Sequence, residues 1–365
     1  MNKKKINWIE LSPFICSFLI PVLVMIIIFI QRGIFPFGEM SFLRTDLYHQ
    51  YAPFFQEMKD KLSEGGSFLY SWDIGMGSNF TALYAYYLAS PLNWLLILCP
   101  RGLVIEFITY MIVLKIGLSS LTMTYYLSRH NRRNDMGAAF FGIFYGLSGY
   151  MAAYSWNIMW LDCILLFPLI ILGLERLVKE NKCFFYCITL ALSILSNYYI
   201  SIMVCLGLVL YFIVQMIITP LQPMEYLKRF GSFCLYSLLA GGLACAVLIP
   251  EVYALSMTAS GNVTFPKTFE SYFSIFDMIA RHLVDVEVHI GLDHWPNIYC
   301  GVGILLFIPL YIMAKKVPFK EKMCYFMLIL FFLLSFSLNI LNFIWHGFHY
   351  PNSLPARQSF IYVFL

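Results

Sequence analysis

"LSPFICSFLIPVLVMIIIFIQ", residues 11–31, is a run of 21 positions without a charge. A helix rises 1.5 Å per residue, so about 20 apolar residues cross the hydrocarbon of a bilayer. The stretch therefore reads as a membrane span, and the rest of the chain agrees with it. Hydrophobic residues make up 60% of the 365 and charged ones 12%, with a mean hydropathy of +0.74. A water-facing domain carries about a quarter charged residues, which this chain does not have. It reads as an all-α polytopic membrane protein.

By the same rule, further spans are expected near 103–127, 136–154, 158–175, 183–197, 199–219, 230–249, 300–314 and 323–341. A tenth begins at Ser359, just before the chain ends. Residues 83–99 are apolar too, but Pro91 interrupts them and Tyr84, Tyr86, Tyr87 and Trp94 suit an interface, so a helix lying at the surface is expected there. The whole of 1–365 reads as one membrane domain, with a first extracytoplasmic loop at 32–101 and a second large one at 250–299. The first span has no small-residue cleavage site in "IFIQRG" and reads as an anchor that is kept.

Orientation follows from the short basic loops. Lys3–Lys5, Arg129, Arg132, Arg133, Arg176, Lys179, Lys182, Lys228, Arg229, Lys315, Lys316, Lys320 and Lys322 are 15 of the 24 basic residues. An inside N-terminus puts all of them in the cytoplasm, as the positive-inside rule asks. The net charge of +4 is spread over these loops, and no patch suited to nucleic acid results. The ten cysteines form no CxxC pair, and the histidines at 282, 289, 294, 346 and 349 lack ligand spacing for zinc.

With that orientation the long loops all lie outside, where chemistry is expected. The first contains "SFLRTDLYHQYAPFF", residues 41–55. From Asp46 onward, Leu47, Tyr51, Phe54, Phe55, Met58 and Leu62 recur at helical spacing. His49, Gln50, Glu57, Asp60, Lys61 and Glu64 fall on the other side, which predicts a flat amphipathic helix with Asp46 at its N-cap. "WDIGMGSNF", residues 72–80, follows as a glycine-rich turn.

A first span, a long outer loop with an early acid, a flat helix and then many spans resemble the GT-C class of membrane glycosyltransferases. The closer resemblance is to the bacterial YfhO family. It is carried by "RTDLYHQYAPFF", "SWDIGMGSNFTALYAYYLASPLNWL", "YSWNIMWLDCILLFPLIILGLERL", "LIPEVYALSMTA" and "GFHYPNSLPARQSFIYVF", spread from Arg44 to the end. Members of that family are longer, so the chain reads as an N-terminal portion.

The resemblance implies transfer of a sugar from a polyprenyl-phosphate donor, such as undecaprenyl phosphate, to a cell-envelope polymer such as teichoic acid at the outer face of a bacterial cell membrane. It implies as partners the donor-making glycosyltransferase and a flippase, beside the bilayer itself. Asp46 matches the first-loop acid of GT-C enzymes and is the expected base. Arg44, His49, Gln50 and Arg281 are expected to contact the donor phosphate or support the site. Asp73, Asn79, Lys115, Asp162, Glu251 and Arg357 are secondary candidates. No metal ligand set is visible, although some GT-C members use a divalent ion, which leaves a metal cofactor open.

Lys115 and Asp162 lie inside spans, where a charge costs about 2.5–3.5 kcal/mol on insertion scales and needs a partner or a cavity. The same two residues would suit the alternative reading, a transporter or flippase of lipid-linked sugars. That reading lacks the internal repeat usual in such proteins. A non-catalytic scaffold would leave Asp46 a cap.

The topology is testable in intact cells carrying a cysteine-free chain. Single cysteines at Ser63 and Asn262 should react with an impermeant thiol reagent, and one at Asn131 should not. Labelling at Asn131 would reverse the orientation.

Overall fold

The computed structural model describes residues 8–258, 264–351 and 353–365. The basic cluster Lys3–Lys5 and the probe position Asn262 lie outside them. The first span is α1 (Trp8–Arg32), the apolar run already quoted. A π-helical turn (Leu47–Tyr51) and α2 (Ala52–Glu64) follow. Next come a two-residue antiparallel ladder of β1 (Tyr70–Ser71) with β2 (Ser78–Asn79), and α3 (Phe80–Leu83). The surface helix expected over 83–99 is two shorter pieces, a π turn (Tyr84–Leu88) and a 3-10 stretch (Pro91–Leu98). Proline has no N–H to continue a ladder, so the chain restarts at Pro91.

The bundle then continues with α4 (Val104–Asn131), α5 (Met136–Gly146) and α6 (Gly149–Tyr154). After a buried turn come α7 (Leu161–Glu180), α8 (Phe184–Ser196), α9 (Tyr198–Ile218), α10 (Pro223–Leu243) and α11 (Cys245–Ser256). The rest is α12 (Asp277–Ala280), α13 (Ile304–Met313), α14 (Phe319–Ser337), α15 (Asn339–Trp345) and α16 (Ser359–Phe364). The end where α1 finishes and α4 begins, with residues 33–103 on it, is here called the loop end.

Among the described residues four helices are long and apolar enough to cross a membrane: Glu10–Arg32, Arg101–Asn131, Met136–Tyr154 and Tyr198–Ile218. The pair α10 and α11, bent by 78°, makes a fifth. At the other expected spans the helices are short (α8 and α13) or charged at their ends. α7 carries Asp162 at its start and Lys179 in its last turn. The run 183–219 resolves into two helices, because the Asn197 side chain accepts the Ile200 N–H at 2.8 Å and caps α9.

One apolar core runs from Met25 on α1 to Phe364 on α16. Its closest approach is between α4 and α5. A Cβ on Gly142 would fall 2.0 Å from Thr124 Oγ1, and one on Gly146 would fall 1.9 Å from Ser120 Oγ. Two glycines four apart thus let the backbones touch, as small residues do between membrane helices. The amphipathic segment differs from its sequence reading on its polar side as well as in the π turn that opens it. Glu57, assigned to the polar side, is buried, accepting the Ser71 hydroxyl at 2.6 Å and pairing with Lys61 at 3.1 Å.

The two charges expected inside spans find each other. Lys115 Nζ on α4 lies 2.6 Å from Asp162 Oδ2 at the start of α7, both sealed from solvent. Ser90 of the first loop donates to Asp162 Oδ1 at 2.8 Å, and Lys115 also donates to the Ile158 carbonyl at 3.2 Å. Removing one partner leaves a lone buried charge, which typically costs roughly 3–5 kcal/mol. Lys115→Met should therefore lower unfolding stability by that amount, and adding Asp162→Leu should restore most of it. Equilibrium unfolding in detergent measures both, and equal stability of wild type and Lys115→Met would show the pair to be idle.

Candidate functional site

The candidate site is assembled at the loop end from three separated stretches. α6 braces two of them. Arg44 Nη2 donates to the carbonyls of Ala152 and Ala153 at 3.2 and 3.1 Å, which pins the lead-in to the first-loop helix. From the same short helix, Tyr150 donates to the Arg357 carbonyl at 3.0 Å and Tyr154 to the Pro355 carbonyl at 2.6 Å. The third stretch is the start of α9, where Tyr199 accepts Arg357 Nη1 at 2.8 Å.

Backbone strain sits beside both charged groups. Thr45, next to Asp46, has φ +48°, and Ala356, next to Arg357, has φ +50°. A residue with a Cβ adopts the left-handed region only when its surroundings hold it there, and such outliers gather at functional sites.

Asp46 precedes the π turn as expected, yet its side chain makes no capping hydrogen bond. Among the described residues its carboxylate has no hydrogen-bond or ion-pair partner. Capping therefore does not consume it. Behind it, Tyr51 donates to Asn157 Oδ1 at 2.7 Å and Tyr87 to Gln50 Oε1 at 3.1 Å. Burial raises the Tyr51 phenol well above its usual range, and neighbouring phenols and Asp46 add to the rise. Tyr86 is raised first by burial, which the Arg357 charge opposes and Glu251 and Asp46 reinforce. Asp46, Glu251 and Arg357 thus all lie within electrostatic reach of one ring.

Glu251 accepts the Tyr198 hydroxyl at 2.5 Å through Oε1, and its buried Oε2 has no partner among the described residues. The Arg357 guanidinium lies 5.4 Å over the Trp160 ring and 5.3 Å over Tyr199. His346 is fully buried nearby, donating from Nδ1 to the Asn342 carbonyl at 2.7 Å. Burial, then the Arg357 charge, depress its pKa to about 3, so it is neutral near pH 7 and offers Nε2 as a bare acceptor.

The other sequence candidates are placed differently. Arg281 is buried and spends its donors on Pro296 and Glu287 carbonyls and on Asn297, holding its own loop together. His49 is exposed with its ring edge against Tyr48. Asp73 is exposed in the hairpin, and Asn79 caps α3 through Ala82 N–H at 3.2 Å. Lys115 and Asp162 bind each other. Among the described residues no three His, Cys, Asp or Glu side chains gather as a metal cage.

Sequence reasoning missed Tyr51 as a polar group, Tyr86, Tyr87, Asn157, Tyr198 and Tyr199. Tyrosines near helix ends look like interfacial anchors, and nothing in their spacing marks a site. The one signal was their placement inside stretches that carry the family likeness.

The likeness itself is tested by comparison. The family described as "Bacterial membrane protein YfhO" matches residues 17–365. The chain belongs to the YfhO family. A relative from Bacillus subtilis (strain 168), "Uncharacterized protein YfhO", is 20% identical over 210 residues. That match takes in 52% of this chain and 24% of the relative, so the chain spans about a quarter of the relative's length. No solved structure matches significantly. The site residues, from Arg44 to Arg357, all fall within the stretch that matches the family.

If Asp46 is free of structural duty, Asp46→Asn should change unfolding stability by no more than about 0.5 kcal/mol, as for a substitution away from packing. Leu47→Ala, which empties a fully buried site next door, should cost about 2–5 kcal/mol. Unfolding curves of both variants make the comparison. A loss above 1 kcal/mol in Asp46→Asn would give the carboxylate a structural role.

Proposed function

We propose that the protein is a membrane glycosyltransferase that moves a sugar from a polyprenyl-phosphate donor to a cell-envelope acceptor such as teichoic acid. Its site faces away from the cytoplasm, a reading supported by the basic short loops. The observation that carries the proposal is the Asp46 carboxylate, without a partner among the described residues and within electrostatic reach of the buried Tyr86 phenol on which Glu251 and Arg357 also act.

In this reading the acceptor hydroxyl donates to Asp46. As its oxygen attacks the anomeric carbon, the proton passes to the carboxylate. The bond from the anomeric carbon to the phosphate oxygen breaks, and the lipid phosphate leaves with the electron pair. A single displacement inverts the anomeric centre. The departing charge needs fixed cations or donors. Arg357 and Arg44 suit that task better than Arg281, whose donors are taken within its own loop. Membership of the GT-C class is part of the same proposal.

Purified full-length protein in proteoliposomes, given a labelled polyprenyl-phosphate sugar and an envelope polymer, should transfer label to the polymer. Asp46→Asn should lower the rate by on the order of 10²–10⁴, the usual contribution of a general base. Wild-type turnover in a folded Asp46→Asn variant would overturn Asp46 as the base. Labelled lipid crossing the bilayer with no transfer would favour the flippase reading instead.

A further inference from the structure

Beside this site, α1, α4 and α6 enclose a half-open cavity of about 600 Å³. Its walls are Val24, Met25 and Ile28 of α1, Ile116 of α4, and Leu147 and Met151 across the break between α5 and α6. Its rim carries Arg32 and Arg44, and no acidic residue lines it. Val24 and Arg32 are eight residues apart on one helix, so the groove descends about 12 Å from the rim.

The rim is electrostatically unbalanced. Arg44 uses Nη2 on the α6 carbonyls, which leaves its other donors without partners among the described residues. Arg32 has no side-chain hydrogen bond or ion pair among them. Burial, then the Arg32 charge, lower the Arg44 pKa, so the two guanidiniums feel each other. Two cations held close with no carboxylate between them form a binding place for an anion, and guanidiniums match phosphate oxygens bidentately. The apolar channel below demands a tail.

We propose that this groove holds the lipid half of the donor, with its phosphate on Arg32 and Arg44 and its first isoprene units along Val24–Ile28 and Met151. The inference rests on the proposed use of a polyprenyl-phosphate sugar and adds where that lipid sits. One channel among three helices suits a single tail, whereas a bulk phospholipid brings two. Arg44 on the rim is two residues before Asp46 in the chain, so a phosphate held there lies on the same first-loop segment as the proposed base. The released polyprenyl phosphate has the same head and tail. It therefore competes with the donor as a product inhibitor.

The test uses the full-length protein in vesicles of neutral lipid, with a photoreactive undecaprenyl phosphate as probe and no acceptor present. Cross-links should map to α1 near Val24–Ile28 and to α6. Arg32→Gln should weaken binding roughly tenfold, the equivalent of one hydrogen bond to a charged group. Arg32→Lys should keep most of the affinity. Leu147→Trp, which fills the channel, should weaken both the probe and the phosphate-free alcohol, while Arg32→Gln should leave the alcohol unchanged. Unaltered binding in Arg32→Gln and Leu147→Trp would overturn the groove, as would equal displacement of the probe by phosphatidylglycerol. Binding with these effects but no sugar transfer would keep the groove and remove the transferase. Transfer with unaltered binding would do the reverse.

Discussion

The buried contact of Lys115 with Asp162 fixes the geometry on which the loop end depends. A bare ammonium or carboxylate inside a bilayer is too costly to persist, so α4 and α7 are bound to meet at that depth. Asp162 has a second oxygen to satisfy, and the Ser90 hydroxyl does so at 2.8 Å. Ser90 belongs to the first loop. It sits between the π turn that carries Tyr86 and Tyr87 and the 3-10 stretch that follows. One ion pair therefore does two things: it ties helices together, and it anchors the loop whose tyrosines back Asp46. Lys59 adds a second anchor on the same loop, donating to the Leu96 and Ile97 carbonyls at 3.2 and 3.1 Å.

The fold was legible where hydrophobicity alone decides it. α1, α4 and α9 follow from runs no soluble helix would carry, and the need of Lys115 and Asp162 for a partner or a cavity follows from the cost of burying charge, whereas their pairing with each other shows only in the fold. The rest depends on partners distant in sequence. Glu57 reads as a surface acid by helical spacing, but Ser71 and Lys61 satisfy it in the interior. The π turn at Leu47–Tyr51 is equally hidden. One extra residue in a turn rotates everything after it, and no composition rule announces it.

For the candidate site, the sequence marks single residues and hides their surroundings. Asp46 stands out as an acid beyond the first span, and Arg357 and Glu251 enter only as secondary candidates of the family resemblance. Their shared influence on Tyr86 could not be read, because Asp46, Glu251 and Arg357 lie on stretches at least about 100 residues apart in sequence. Arg281, expected near the donor phosphate, instead spends its guanidinium donors on the Pro296 and Glu287 carbonyls and on Asn297 of its own loop.

α6 explains how the two charged stretches keep their places despite strained backbones. Thr45 and Ala356 would each relax out of the left-handed region if released, since a Cβ there crowds the following carbonyl. Both are prevented from doing so by neighbours that bind the same six-residue helix. Arg44 grips its last carbonyls, and Tyr150 and Tyr154 grip the Arg357 loop from the same element. Cyclic arrangements of this kind couple the two charges through a rigid element instead of a direct bond. Among the described residues that leaves the Asp46 carboxylate without a partner of its own.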